Sequence, residues 1–141
     1  DFMENFCPIA EHFKDASAIK IFSSGKEWLY ERNTPSFGAV LEGANQLFAD
    51  GIQMPAFGVS MDKLTREELK SGLWVEFCFS EEKHCMNMPF ESLLFAVRAE
   101  YKGFNIVRKT EGLYQGRCYY VDLRDKDMAE FFQSLERVIG R

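Results

Sequence analysis

With 141 residues, 46% of them hydrophobic and 15% aromatic, the chain has the size of one α+β domain, residues 1–141, with a real core, and is too short for two comfortable ones. Seventeen Lys and Arg against twenty-two Asp and Glu give a net charge of -5, which removes the basic footprint that non-specific nucleic-acid binding requires, so no nucleic acid is expected as a partner. No window reaches the roughly 18 to 20 apolar residues of a membrane-crossing helix, no charged start leads into a signal-like apolar run, and the four scattered cysteines fit reduced thiols in a cytoplasmic protein better than a disulfide framework.

Residues 2–15 form a helix candidate with Phe6, Ile9 and Phe13 on one side, which Pro8 starts or kinks. AIKIFS and KEWLYE then read as a β-hairpin around Ser24-Gly25. A two-residue turn pairs Ile21 with Trp28 and Ile19 with Tyr30, leaving Lys20, Phe22, Glu27 and Leu29 on the other face. Thr34-Pro35 supplies an N-cap and a first helical position for residues 35–50. Phe37, Val40, Leu41, Ala44, Leu47 and Phe48 fall on one stripe of that helix, and Gly51 stops it. The stretch 52–72 is a long connection holding one short helix after Leu64.

LWVEFCF and HCMNM read as a second hairpin around SEEK, with Phe79 opposite His84, Phe77 opposite Met86 and Val75 opposite Met88. From Pro89, the residues Phe90, Leu93, Leu94 and Val97 share a helical face over 89–99. Leu93, Phe95 and Val97 also alternate, which is the competing strand reading. FNIVRK and GRCYYVDL form a third hairpin around TEGLYQ; a four-residue loop at 111–114 pairs Phe104 with Val121 and Ile106 with Tyr119, and sets Arg108 beside Arg117. A last helix over 125–139 carries Met128, Phe131, Phe132, Leu135, Val138 and Ile139 on one side, with Asp125 as its cap and Gly140 at its end. The pattern is ββα three times over: an antiparallel sheet of three hairpins with helices on one face, burying Phe37, Leu41, Phe48, Val75, Phe77, Val121, Phe131 and Leu135.

The stretch VEFCFSEEKHCMNM raises a metal question. The register above places Cys78 opposite Cys85 on the face away from the helices, with Cys118 on the same side of its own hairpin, while His84 points to the helix face. Three thiols without paired ligand knuckles do not make a structural zinc site. No metal and no cofactor are therefore expected, and the cysteines read as half-buried structural thiols. His12 reads as a solvated helix residue, Glu67-Glu68 and Glu81-Glu82 as solvated charge, and Gly112 and Gly116 as turn residues without the strand-to-helix junction of a phosphate loop.

The functional expectation rests on the sheet face opposite the helices. There Trp74, Tyr120 and Phe22 stand among Glu76 and Asp122, a mixture that suits neither a dry core nor a solvated surface. A face of that kind is covered by a partner protein, a homodimer mate or the 52–64 segment. Arg108 and Arg117 form the one basic pair placed to clamp an anion, with Glu111 and Asp122 as ordinary salt-bridge partners in the blander reading. The leading expectation is a non-catalytic binding or assembly module; the alternative is a small thiol-dependent or anion-binding enzyme that uses Cys118 or Cys78 with Arg108 and Arg117.

Overall fold

The computed structural model describes residues 7–55 and 58–140, so the part of the N-terminal helix expected over residues 2–6 lies outside the described residues. The chain enters through a 3-10 helix (Pro8–Asp15) that begins at Pro8. The hairpin β1 (Ala18–Ser23) and β2 (Lys26–Glu31) follows in the expected register, Ile21 opposite Trp28 and Ile19 opposite Tyr30. Helix α1 (Pro35–Phe48) starts as its first residues dictate: the Thr34 hydroxyl accepts from the Phe37 amide at 3.3 Å and proline occupies the first turn. It ends two residues earlier than periodicity suggested.

The connection after α1 is more structured than a linker. It holds β3 (Ile52–Met54), β4 (Val59–Ser60) and helix α2 (Asp62–Glu68), which begins before Leu64. Strands β5 (Leu73–Cys85), β6 (Met88–Ala96), β7 (Gly103–Thr110), β8 (Leu113–Tyr114), β9 (Gly116–Arg117) and β10 (Tyr119–Asp122) follow, and α3 (Ala129–Ile139) closes the order. Asp125 does not cap α3; the Ala129 amide instead donates to Asp127 Oδ1 at 3.0 Å.

The fold is mixed α+β on an antiparallel sheet, ordered β2-β1-β5-β6-β7-β10-β3, with β8 folded onto β7 and β4-β9 forming a separate two-stranded ribbon. The central hairpin corrects the sequence reading. SEEK is no turn: β5 runs through it, and the pairing shifts between Cys78 opposite Ser92 and Lys83 opposite Phe90, so that Phe79 to Glu82 face only Glu91. The turn lies at Met86-Asn87, both with positive φ (53° and 62°), and residues 89–99 are largely strand β6 rather than helix. Val75 therefore faces Phe95 and Phe77 faces Leu93. Cys85 is not opposite Cys78 but opposite Met88, inside the helix-side core. His84 sits opposite Pro89 with its side chain mostly exposed, 3.5 Å from Glu82, and not on the helix face.

The period-2 signal in β6 was masked because both its faces are covered: Leu93 and Phe95 are buried on one side, Ser92 and Leu94 on the other. The third hairpin pairs Phe104 with Val121 and Ile106 with Tyr119 as expected. Its tight turn is Glu111-Gly112, not a four-residue loop.

The main core gathers the inner residues of the sheet, the 3-10 helix, α1 and α3, with Phe13 edge-to-face on both Phe77 and Phe95. Phe37, Phe48, Val75, Phe77, Val121, Phe131 and Leu135 are buried there; Leu41 is only half-buried, at the margin of the α1 stripe. A second, smaller cluster of Phe22, Leu94, Val107, Tyr114 and Cys118 lies on the reverse of the sheet, with Leu69 and Trp74 packed against it. Not all helices share one face, because α2 covers part of this reverse side.

Candidate functional site: a cleft on the reverse face of the sheet

The strand alternation that sends Val75 and Phe77 into the main core sends Trp74 and Glu76 to the reverse face, and Tyr119 and Tyr120 divide in the same way. Phe22 is the Cα partner of Trp74, and Lys20 of Glu76. Between this face and α2 opens a cleft of about 480 Å³, in the size range of ligand sites. Trp74, Tyr101, Tyr120, Asn105, Thr65 and Glu68 contribute to its walls. At its mouth Val59, Met61 and Leu64 are 71%, 67% and 58% exposed.

The aromatic walls are held from behind. Trp74 Nε1 donates to the Ser71 carbonyl at 2.9 Å, which fixes the indole over the α2-β5 turn. Tyr120 packs across Gly103, where any Cβ would collide with its hydroxyl. Deeper, Ser60 Oγ and Cys118 Sγ lie 3.1 Å apart.

Of the expected site residues, the structure brings Trp74 and Tyr120 to one cleft and places Phe22 behind Trp74 in the small cluster. It takes Glu76 out of reach of a ligand: at 1% exposure, its carboxylate accepts from Ser92 Oγ at 2.5 Å and from Tyr114 Oη at 2.9 Å. Asp122 is half-buried, and its Oδ1 accepts from the Arg124 amide at 2.7 Å. Arg108 and Arg117 do not pair their guanidiniums on an anion. Arg108 is buried, and its Nε and Nη1 donate to the carbonyls of Arg117 and Pro89, both at 2.7 Å, while Arg117 is an exposed residue of β9 opposite Val59.

The thiols do not converge either. Cys85 lies in the main core and Cys118 in the reverse cluster, and the described cysteines are free. Burial pushes the Cys78 thiol up to about 11, with the Glu76 carboxylate adding to the effect. Burial raises Cys118 as well, against smaller opposing effects from Ser60 and Arg108. Among the described residues no three His, Cys, Asp or Glu side chains group as metal ligands would, and no helix is long and apolar enough to cross a membrane.

Sequence reasoning expected one short helix after Leu64 but not its start at Asp62, nor the residues it brings to the cleft: Thr65, Glu68 and the exposed Met61 and Leu64. Asp62 is the position that could have revealed it. Its Oδ1 accepts from the Tyr114 amide at 2.8 Å and both its oxygens accept from Arg66, which together hold its carboxyl below the usual range and pin α2 to β8. A larger groove, about 710 Å³, runs between α1 and α3, but charged side chains such as Glu42, Asp127, Glu130 and Arg137 line it, and Lys126 is tied to the Gln46 carbonyl at 2.7 Å. The aromatic cleft is the better candidate. No protein-family model, curated protein or solved structure matches the chain.

Proposed function

We propose that the chain is a non-catalytic binding or assembly module whose working surface is the cleft around Trp74 and Tyr120, with a protein partner or a second copy of the chain as its occupant. The observation that carries this reading is the exposed apolar mouth of Val59, Met61 and Leu64 beside an aromatic cleft. Apolar groups concentrated in this way mark interaction sites more often than isolated surface residues do. The same reading makes it a single domain working in the reducing cytoplasm without nucleic acid. A thiol-dependent or anion-binding enzyme has less behind it, because Cys78 and Cys118 are held protonated and Arg108 is spent on carbonyls.

Two measurements test the reading together: solution mass at several concentrations, and photo-crosslinking from a benzophenone side chain placed at Leu64 in the producing cells. A mass that rises with concentration, or one discrete crosslinked species, is expected, and Trp74→Ala should diminish either. A monomer at every concentration that yields no crosslink, or an association untouched by Trp74→Ala, overturns it.

A further inference from the structure

Away from the cleft, on the main-core side of the sheet, sulfur gathers around the β5-β6 turn. Cys85 is the Cα partner of Met88, so their side chains share one face of the pair, and both pack into the main core. Met86 would point to the other face if β5 continued as a strand. Its positive φ of 53° bends it back instead, and one carboxamide touches both sulfurs: Gln53 Nε2 donates to Met86 Sδ at 2.8 Å, and the same side chain hydrogen-bonds the Cys85 thiol. The Oε1 of Gln53 accepts from the Ile9 amide at 2.8 Å, which ties the start of the 3-10 helix to this turn. Cys7 lies at that start and packs against the same core. Burial pushes its thiol up, and the neighbouring Cys85 thiol adds to the rise. Cys78 and Cys118 stand apart on the reverse of the sheet, beside Glu76 and in the small cluster.

Methionine is a poor residue for a left-handed turn position, where Gly or Asn carries less strain. At 53% exposure its core packing does not account for it either. A residue that neither the turn nor the core asks for directs attention to its sulfur. Two thiols and a thioether are soft donors of the kind that select copper(I), whereas magnesium and calcium take oxygen, and structural zinc takes four ligands, chiefly Cys and His. Bound thiolates need hydrogen-bond donors beside them, and these are in place: the Ala10 amide at Cys7 and the Gln53 carboxamide at Cys85.

We propose that this turn and the start of the 3-10 helix bind one copper(I) ion through the sulfurs of Cys7, Cys85 and Met86, with Met88 beside them. The ion displaces the two thiol protons, which pass to solvent, and takes the place of the Gln53 N–H at Met86 Sδ; no electron is transferred.

The test is an anaerobic titration of the full chain with copper(I) against a colorimetric chelator such as bicinchoninate. The parent chain should take one equivalent from the chelator, with sulfur as the neighbour of the ion in X-ray absorption. Cys7→Ala and Met86→Leu change a half-buried and an exposed residue, so both should keep the parent's urea midpoint to within a small shift. Each should weaken binding by about ten-fold or more, since losing even an outer-shell partner costs a metal site that much. Cys78→Ala and Cys118→Ala should leave it unchanged. Copper(I) held as tightly by Cys7→Ala or Met86→Leu as by the parent overturns the site. An equal loss in Cys78→Ala overturns it too, because the ion is then held adventitiously by thiols at large, and so does a parent chain that takes no copper(I) from the chelator. None of these outcomes bears on the cleft, which the crosslinking result decides separately.

Discussion

A carboxylate as enclosed as Glu76 is costly unless its oxygens accept hydrogen bonds, and among the described residues hydroxyls supply them: Ser92 Oγ, and Tyr114 Oη to both oxygens. The Tyr114 ring in turn has Arg66 at 5.0 Å and Lys109 at 5.2 Å. Tyr114→Phe should therefore cost about 1–3 kcal/mol in urea unfolding, the penalty of leaving a buried acceptor under-satisfied, although it removes a single oxygen. A change below a few tenths of a kcal/mol would mean that water reaches Glu76. The thiols give a pH prediction of definite sign. Burial raises Cys7 and Cys78 from 9.0 to about 11, so below pH 9 both the folded and the unfolded chain keep these protons and the stabilisation is fully present. As pH climbs from 9 towards 11 the unfolded chain releases them first and stability falls. Cys78→Ala should flatten that fall in the urea midpoint; parallel curves for parent and variant would show that the thiol is hydrated. Glu76 and Asp122 could be read from sequence as polar residues on the reverse face. The partners of Glu76 could not, because Tyr114 lies 38 residues away and reaches it only through the fold.

Three hairpins end in two-residue turns whose central residues both have positive φ: Ser24-Gly25, Met86-Asn87 and Glu111-Gly112. Such turns match the twist of the flanking strands, and glycine at the second position makes two of them readable in sequence. Met86-Asn87 has no glycine and sits beside polar SEEK, which resembles a loop better than the true turn does. Hence the first hairpin and the main pairing of the third were legible, while the second was displaced and its return strand taken for a helix. Left-handed backbone costs a side-chain-bearing residue about 1–2 kcal/mol, less for Asn. Met86→Asn combined with Asn87→Gly should accordingly stabilise the chain by about 1 kcal/mol, after allowing for the lost contact from Gln53 Nε2 to Met86 Sδ at 2.8 Å. Loss of stability in the double variant would assign Met86 a packing role that outweighs its backbone strain. The helices α1 and α3 were legible for a simpler reason: each buries one stripe against one core, so period and burial agree.

Across the whole molecule the sheet separates two apolar layers of unequal depth. The main core joins residues from the N-terminal 3-10 helix to α3, whereas the reverse cluster rests on five buried residues under a short helix. Helical periodicity and strand alternation foresaw the first layer. The second depends on α2 folding back across the sheet, which hydrophobic periodicity does not report, because Thr65 is the one residue of α2 that is buried. That layer is fastened at few points, chiefly Asp62 to the Tyr114 amide and Arg66 to the Gly112 carbonyl, against the longer ladders that join β1, β5, β6 and β7. Sparse fastening makes it a separate opening unit at the wall of the proposed binding cleft. In native-state hydrogen exchange the amides of Thr65, Leu69, Tyr114 and Cys118 should exchange through an opening smaller than global unfolding and nearly independent of urea, while those of Val75, Phe77 and Phe95 exchange only with the whole chain. Tyr114→Phe should accelerate the first group more than the second, because it loosens β8 beneath α2. If all seven amides share one urea-dependent free energy, the two layers open together, and α2 is an integral part of the fold instead of a cover that adjusts to what the cleft receives.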